Sequence, residues 1–543
     1  MRSRVFKLLN GLKVNTTNTI SFYRNNNRYE KTFSEFSSDV DKALSRLNYL
    51  KRTFGTANVA LLGPISYDWI VCDMACIKGG FLSIAIPETL PSDKVISILE
   101  DTKADIVLMD CCFADKFNII GCKTYHFECK NIELETGFWK LQEFNNISLE
   151  NLILEEFSIV FSSGTSEKIK HIKRTFPDLE KKKETLIDQI KKIGLFIKYK
   201  RSFWSRKDNK LIIFMPFSHP QQRDFFRIAL IRKINIVLSD QKNCIKHIIL
   251  EKPNLMIAVP VVYEAIASRI KAKIGKFSPT QNAFFSLFNT LSINSLSNNN
   301  YIKRIFSFFL FKDIKKIYGG KADYFITGSA PISAEVIKIF YSVGVKLLQA
   351  YGQSETGTIA MNTPESFKIG SVGKPIMEVE ISKESEILVK YSKEWHSSNK
   401  DVLTIDNNEF IHTGDLGYLD KDGFLFITGR KDDIIVLENG KKVFPEKIES
   451  IIKGLEAIKE VCIFIKEGYK LQAVLDCIGR PRDIVIREFI QSVNNKLPVY
   501  ERISAFYISE TAFSEENGLL TATFKKKRSS IKKLFAEKEF IAV

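Results

Sequence analysis

Apolar and polar positions alternate along the first hundred residues in two rhythms. "DVDKALSRLNYL" (39–50) repeats its apolar residues at three- and four-residue intervals, the period of a helix with one buried face. "NVALLGP" (58–64) is an unbroken apolar run that stops at a glycine and so predicts a short buried strand. "YDWIVCDMACIKGG" (67–80) predicts a helix and "FLSIAIP" (81–87) another strand, and "DKVISILEDTKADIVLMD" (93–110) repeats helix then strand. Strands apolar on both faces and separated by helices belong to parallel sheets covered on each side, an α/β architecture. Ligands of such sheets gather beyond the carboxyl ends of the strands.

Size extends this picture to more than one domain, because the chain has 543 residues, 45% of them hydrophobic, and single cores stop growing at roughly 250–300 residues. No run of ~20 uninterrupted apolar residues predicts a membrane span. The stretch "MRSRVFKLLNGLKVNTTNTISFYRNN" lacks the apolar core and small-residue cleavage site of a leader, so a cytoplasmic location is expected. Nine cysteines, scattered without a C-x-x-C spacing, predict reduced thiols rather than a disulfide framework or a structural zinc site. Their densest group, Cys111, Cys112, Cys122 and Cys129 near His126, matches no metal-ligand spacing.

A formal charge of +17 predicts an anionic partner. Nucleotide phosphates, an acidic carrier protein, an anionic bilayer and nucleic acid all qualify. Much of the charge lies in lysine runs (179–210 and 524–533) that suit a solvated helix face, and no helix-turn-helix, zinc-finger or RNA-binding aromatic motif accompanies them, which argues against nucleic acid.

Candidate chemistry sits where strands end. In "EFSIVFSSGTSEKIKHI" (156–172) an apolar run empties into Ser162, Ser163, Gly164, Thr165 and Ser166, followed by Lys170. Hydroxyls, backbone N–H groups around a glycine and an ammonium can wrap a phosphate, although a polar turn has the same composition. "ADYFITGSAPIS" (322–333) and "VKLLQAYGQSETG" (345–357) end in similar polar turns, and "HTGDLGY" and "TGRKDD" add Asp415 and Arg430.

In this order and combination, these segments resemble the AMP-forming, adenylate-making enzymes: acyl-CoA synthetases, aryl-CoA ligases, firefly luciferase and peptide-synthetase adenylation domains. The resemblance runs from "KTFSEFSSDVDKALSRL" to "NGLLTATFKKKR". It is strongest to long-chain fatty acid CoA ligases, through "MPFSHPQQRDFF", "EKPNLMIAVPVVYEAIASRI" and "YFITGSAPIS". The implied fold is a large N-terminal domain of mainly parallel sheets flanked by helices plus a distorted barrel (1–431), followed by a small mobile α+β lid (432–543) hinged at Asp432.

The resemblance also implies roles. Ser162, Ser163, Gly164, Thr165, Ser166 and Lys170 would hold the β- and γ-phosphates of ATP, in a loop that departs from the family pattern at Glu167, Ile169 and His171. Tyr351 would lie against adenine, with the backbone of Gly328, Ser329 and Ala330 on its other face; Gly352 belongs to the same motif. Ser354 would contact the α-phosphate, and Glu355, with Thr165, would ligate Mg²⁺. Asp415 would accept the ribose hydroxyls and Arg430 reach ribose or phosphate, the alternative being a buried Asp–Arg ion pair. His219 would border the acyl site or pack in the core.

A lid lysine would bridge carboxylate and α-phosphate in one pose. Lys525 is favoured over Lys526 and Lys527, and in a second pose Gly440 would line the thiol's tunnel. Phenylalanine clusters at 282–291 and 301–313 suit an acyl tunnel, a core or, with their basic neighbours, peripheral contact with the inner membrane surface. Three functions follow: a medium- or long-chain fatty acid CoA ligase using ATP, Mg²⁺ and CoA, a ligase loading the phosphopantetheine of an acyl carrier protein, or a non-catalytic nucleotide- or membrane-binding paralogue.

Overall fold

The computed structural model describes residues 11–110, 123–126, 156–161, 171–175, 209–285, 312–391 and 403–543, apart from single positions and short loops inside those spans. The segment 162–170, the cysteines at 111, 112, 122 and 129, most of the lysine run 179–210 and most of both phenylalanine clusters lie outside the described residues.

The first strands form a hairpin, Thr19–Arg24 with Asn27–Thr32, turned through Asn25 and Asn26 in the left-handed region that asparagine tolerates. Thr32 then caps the helix Phe33–Phe54 by a reciprocal capping box with Glu35, and Gly55 at φ +73° ends it. The helix and strand expected over 58–110 are present: Asn58–Leu62, Tyr67–Gly79, Leu82–Ile86, Ser92–Thr102 and Ile106–Met109.

Two sheets make the large body. A six-stranded sheet runs in the order Lys123–His126, Ile106–Met109, Asn58–Leu62, Leu82–Ile86, Glu156–Phe161, His171–Thr175, parallel except for its last pair. In that antiparallel pair Phe161 lies opposite His171. His171 is therefore a strand residue whose position asks for no glycine, and the departure from the family's loop pattern there carries no backbone penalty. The second sheet has nine strands, with a parallel centre that includes Leu255–Ala258, Tyr324–Thr327 and Lys346–Gln353 and with antiparallel edges. The Phe33–Phe54, Tyr67–Gly79 and Pro220–Arg232 helices share a core with side chains from both sheets. That double coverage explains why every residue of Tyr67–Gly79 is buried and why its sequence has no polar stripe.

Inside that layer Asp73 is fully buried and meets the guanidiniums of Arg223 and Arg227. Arg223 also donates to Ser158 (2.7 Å), and Ser83 donates to Asp73 (2.7 Å). Burial alone would push the Asp73 carboxyl up, but the two arginines pull it below the usual carboxylate range. The cluster ties the helix that starts after His219 to the strand that leads into residue 162.

Beyond these sheets, Val379–Ile381, Glu386–Lys390, Phe410–Leu419 and Leu425–Arg430 form a four-stranded antiparallel sheet, open among the described residues. A smaller C-terminal domain has its own four-stranded sheet in the order Ile458–Ile465, Leu471–Cys477, Ile503–Ile508, Ile541–Ala542. The helices Pro445–Ile452 and Asp483–Asn494 cover one face and Arg528–Phe535 the other. No helix among the described residues is long and apolar enough to cross a membrane.

Candidate active site

The strands Tyr324–Thr327 and Lys346–Gln353 run in parallel with Thr327 beside Gln349, and the candidate residues lie past their carboxyl ends. At Gly328 a Cβ would come within 2.9 Å of the Ala350 carbonyl oxygen, so the chain rides directly on the neighbouring strand. Ser329 follows in the left-handed region at φ +69°, with its hydroxyl 3.4 Å from Gln221, and Ala330 is half-buried. Lys346–Gln353 returns as Gly357–Met361 through a turn that holds Ser354, Glu355 and Thr356. There a Cβ on Gly352 would collide with the Gly357 carbonyl oxygen at 2.1 Å, so only glycine closes this bulged hairpin.

Asp415 is the hub. Its Oδ2 accepts the Tyr351 hydroxyl at 2.6 Å and the Gln353 amide at 2.7 Å, and its Oδ1 lies 3.1 Å from Arg430 Nε. Asp415 and Arg430 oppose each other on antiparallel strands, which sets this distance. The Asp–Arg pair weighed from sequence is thus present. Burial, then the Asp415 charge, push the Tyr351 phenol well above its ordinary value, so it stays a donor. Each carboxylate oxygen carries two acceptor sites: Tyr351 and Gln353 fill both on Oδ2, and Oδ1, beside Arg430, keeps capacity.

Lys525 enters from the C-terminal domain. Its backbone N–H donates to the Thr521 hydroxyl at 3.0 Å and its carbonyl accepts from Thr521 N–H at 2.8 Å, which closes a short loop before the Arg528–Phe535 helix. Its ammonium lies within electrostatic reach of Arg430, Asp415, Glu355 and Glu446. Burial, helped by Arg430, pushes its pKa down, while the three carboxylates oppose the shift.

Geometry separates the three adjacent lysines. Lys526 is turned into its own domain, where it donates to Glu449 at 2.6 Å and to the Val461 carbonyl at 2.7 Å and lies 3.3 Å from Glu460. Burial works against the Glu449 carboxylate, but Lys526 and Arg528 hold its pKa down to about 2. Lys527 supplies the N-cap position of the last long helix.

His219 precedes the Pro220–Arg232 helix, and its Nε2 is buried without a hydrogen-bond partner. Burial chiefly, with the Lys525 charge second, pushes its pKa down to about 4, so the ring is neutral near pH 7. Asp432 is exposed just past Arg430, whose guanidinium feels its charge. Gly440 is exposed at φ +76° on the tip of the Ile435–Val436 and Lys442–Val443 hairpin. Ser162, Ser163, Gly164, Thr165, Ser166 and Lys170 fall outside the described residues. Thus Glu355, Asp415, Arg430, His219 and Lys525 share one electrostatic neighbourhood, beside Tyr351 and the Gly328–Ala330 turn.

The sequence reading missed two groups. Gln349 and Thr327, cross-strand neighbours at these carboxyl ends, are buried, and Gln349 Oε1 and Thr327 Oγ1 have no hydrogen-bond partner. Unpaired buried acceptors are costly unless a ligand satisfies them. The available signal was a glutamine inside the apolar run "KLLQAY", two residues before Tyr351 and therefore on the same strand face.

A family model described as AMP-binding enzyme matches residues 13–386, and one described as AMP-binding enzyme C-terminal domain matches residues 432–538. The long-chain-fatty-acid--CoA ligase FadD15 of Mycobacterium bovis is 24% identical over 543 aligned residues, covering 88% of this chain and 86% of its own. Long-chain-fatty-acid--CoA ligase 5 of Mus musculus is 24% identical over 546, covering 86% and 77%. Among solved structures, o-succinylbenzoate coenzyme A synthetase from Bacillus subtilis with ATP and magnesium ion aligns at TM-score 0.69 and 17% identity, over 97% of this chain and 98% of that one. The anthranilate CoA ligase AuaEII with anthranoyl-AMP aligns at TM-score 0.74 and 18% identity, over 98% and 96%. These structural likenesses speak for the fold, and the family match covers well over half of the sequence: the chain belongs to the AMP-binding enzyme family.

Proposed function

We propose that the protein activates a medium- or long-chain fatty acid with ATP, releases pyrophosphate, and passes the acyl group from acyl-AMP to the thiol of CoA. The observation that carries this reading is Lys525, delivered by the C-terminal domain among Glu355, Asp415 and Arg430. The names of the relatives, long-chain-fatty-acid--CoA ligases, support the substrate class.

The residues fit a purine nucleotide. The Gly328 turn allows close backbone approach opposite Tyr351, and the orphaned Gln349 oxygen suits the exocyclic amine of adenine. Asp415 Oδ1 retains acceptor capacity for a ribose hydroxyl. Replacing Gln349 by Leu should raise KM for ATP about five- to thirty-fold and narrow discrimination against GTP, the range expected for losing one buried hydrogen bond to substrate. An unchanged ATP/GTP ratio in steady-state assays would remove Gln349 from the base site.

In the first step a carboxylate oxygen attacks the α-phosphorus and the bond to the pyrophosphate oxygen breaks. Two anions must meet, so the chain's task is to neutralise and align charge. Lys525 and Arg430 supply the positive field, while neutral His219 adds no competing cation. Glu355 is a hard oxygen donor suited to Mg²⁺, and Thr165 is its proposed companion; the ion, when bound, supplies charge neutralisation on phosphate oxygens. Glu355→Gln should raise the Mg²⁺ concentration for half-maximal adenylation on the order of tenfold. Wild-type metal dependence in that variant would exclude Glu355 as a ligand.

In the second step the thiol sulfur bonds to the acyl carbon, the bond to AMP breaks, and the thiol proton is lost to solvent. This needs the space that Lys525 holds, so the C-terminal domain rotates about Asp432 and brings Gly440 inward. Fatty-acid-dependent exchange of pyrophosphate into ATP tests the first step, and its absence would leave only a nucleotide- or membrane-binding role. Offering CoA and a phosphopantetheine-loaded carrier protein in turn tests the second. The charge of +17 suits an acidic carrier, so preference for the carrier would replace CoA as the acceptor.

A further inference from the structure

A chain of alternating charges runs from the body through the C-terminal domain to the hinge. Glu264, on the Pro260–Ile274 helix of the body, lies 3.5 Å from Lys453, which follows the Pro445–Ile452 helix of the C-terminal domain. Lys453 is 3.2 Å from Glu460, Glu460 is 3.3 Å from Lys526, and Lys526 is 2.6 Å from Glu449. Arg528 clasps Glu449 with both terminal nitrogens at 2.5 and 2.7 Å and reaches Asp433, beside the hinge, at 3.6 Å. Within this chain only Glu264 belongs to the body. Every other member before Asp433 travels with the C-terminal domain, and Lys526 adjoins Lys525.

We propose that Glu264 and Lys453 are positioning residues for adenylation: their ion pair latches the C-terminal domain to the body in the pose that inserts Lys525. This inference rests on the two-step reading above. Rotation about Asp432 separates Glu264 from Lys453 while the pairs from Lys453 to Arg528 stay together, so the latch is the link the pose change must break. Its side chains are only partly buried, at 26% and 23% exposure, which keeps the pair breakable. Burial also raises the Glu264 carboxyl above its usual range despite Lys453, so the contact is not over-stabilised.

The test measures the two half-reactions separately in Glu264→Gln, Lys453→Met and the double variant that carries both substitutions. Each single variant should lose about fivefold in kcat for acyl-AMP formation, the upper range for a partly exposed pair. Thioester formation from supplied acyl-AMP should stay within about twofold, and the double variant should lose no more adenylation rate than the larger single loss, because both substitutions remove the same contact. Equal losses in both half-reactions, no loss in either, or losses that multiply in the double variant would overturn the latch. A second readout does not need activity: spin labels carried on unnatural amino acids at exposed Thr280 and Glu488 should report a broader distance distribution in Lys453→Met than in the parent protein. If the parent forms no acyl-AMP yet Lys453→Met broadens that distribution, the proposed function fails and the latch stands. An unchanged distribution overturns the latch whatever the activity.

Discussion

Lys525→Ala should lower acyl-AMP formation by a factor on the order of 10²–10³, the effect of removing a preorganised charge aimed at a developing one. Thioester formation from supplied acyl-AMP and CoA should change little. The reason is geometric: the ammonium sits among Glu355, Asp415, Arg430 and Glu446 in this pose, and in the proposed two-step reading the domain that carries it rotates away for the second step. Lys526→Ala should behave differently. It uncovers Glu449 and Glu460 inside the C-terminal domain, so it should lower thermal stability and reduce both half-reactions together. Rapid-quench assays of each half-reaction with the two variants separate these outcomes. Equal loss of both half-reactions in a stably folded Lys525→Ala protein would exclude the assignment.

Asp73→Ala should destabilise the body by about 3–5 kcal/mol, the usual cost of leaving a buried charge without its partner. Arg223 is 2% exposed and Asp73 fully buried, so water cannot replace the lost carboxylate. Because a chain with two domains does not unfold in one step, the check is the midpoint of the body's own transition in calorimetry. Asp73→Leu combined with Arg223→Met should recover most of that loss, since two apolar groups of similar size remove the buried pair while Arg227, the second arginine on Asp73, keeps Asp224 at 3.0 Å. The double variant also tests function. Arg223 holds Ser158 on the strand that precedes residue 162, so a restored midpoint with a raised KM for ATP would assign the pair a positioning role at the proposed phosphate-binding segment.

The legible parts of the fold were those with a local cause. The 39–50 period, the apolar runs at 58–62 and 82–86 and the terminal glycines Gly55 and Gly80 each encode an element through spacing, branching or backbone freedom. Gly328 and Gly352 were legible as motif members, but their cause lies elsewhere in the chain, in the Ala350 and Gly357 carbonyls that leave no room for a Cβ. The fully buried Tyr67–Gly79 helix shows its length in sequence but not its two-sided burial, which comes from a second sheet built from strands on either side of it in the chain, Thr19–Arg24 before it and Lys210–Ile213 and Asn235–Leu238 more than a hundred residues after it.

By itself the sequence determined the α/β alternation, the family and the set of residue types gathered at strand ends, because helix period, turn chemistry and motif order are properties of neighbours along the chain. Tertiary structure decided what those residues do to one another. Lys525, Lys526 and Lys527 carry the same side chain in a row, and only the resemblance favours Lys525; in space Lys526 pairs with Glu449 and Val461 while Lys525 lies within electrostatic reach of Asp415 and Arg430 across the domain boundary. The orphaned acceptors of Gln349 and Thr327, the Asp415 hub and the Glu264–Lys453 contact likewise join positions from 15 to 189 residues apart. Charge and burial act through distance in space, and a linear pattern carries no term for that distance.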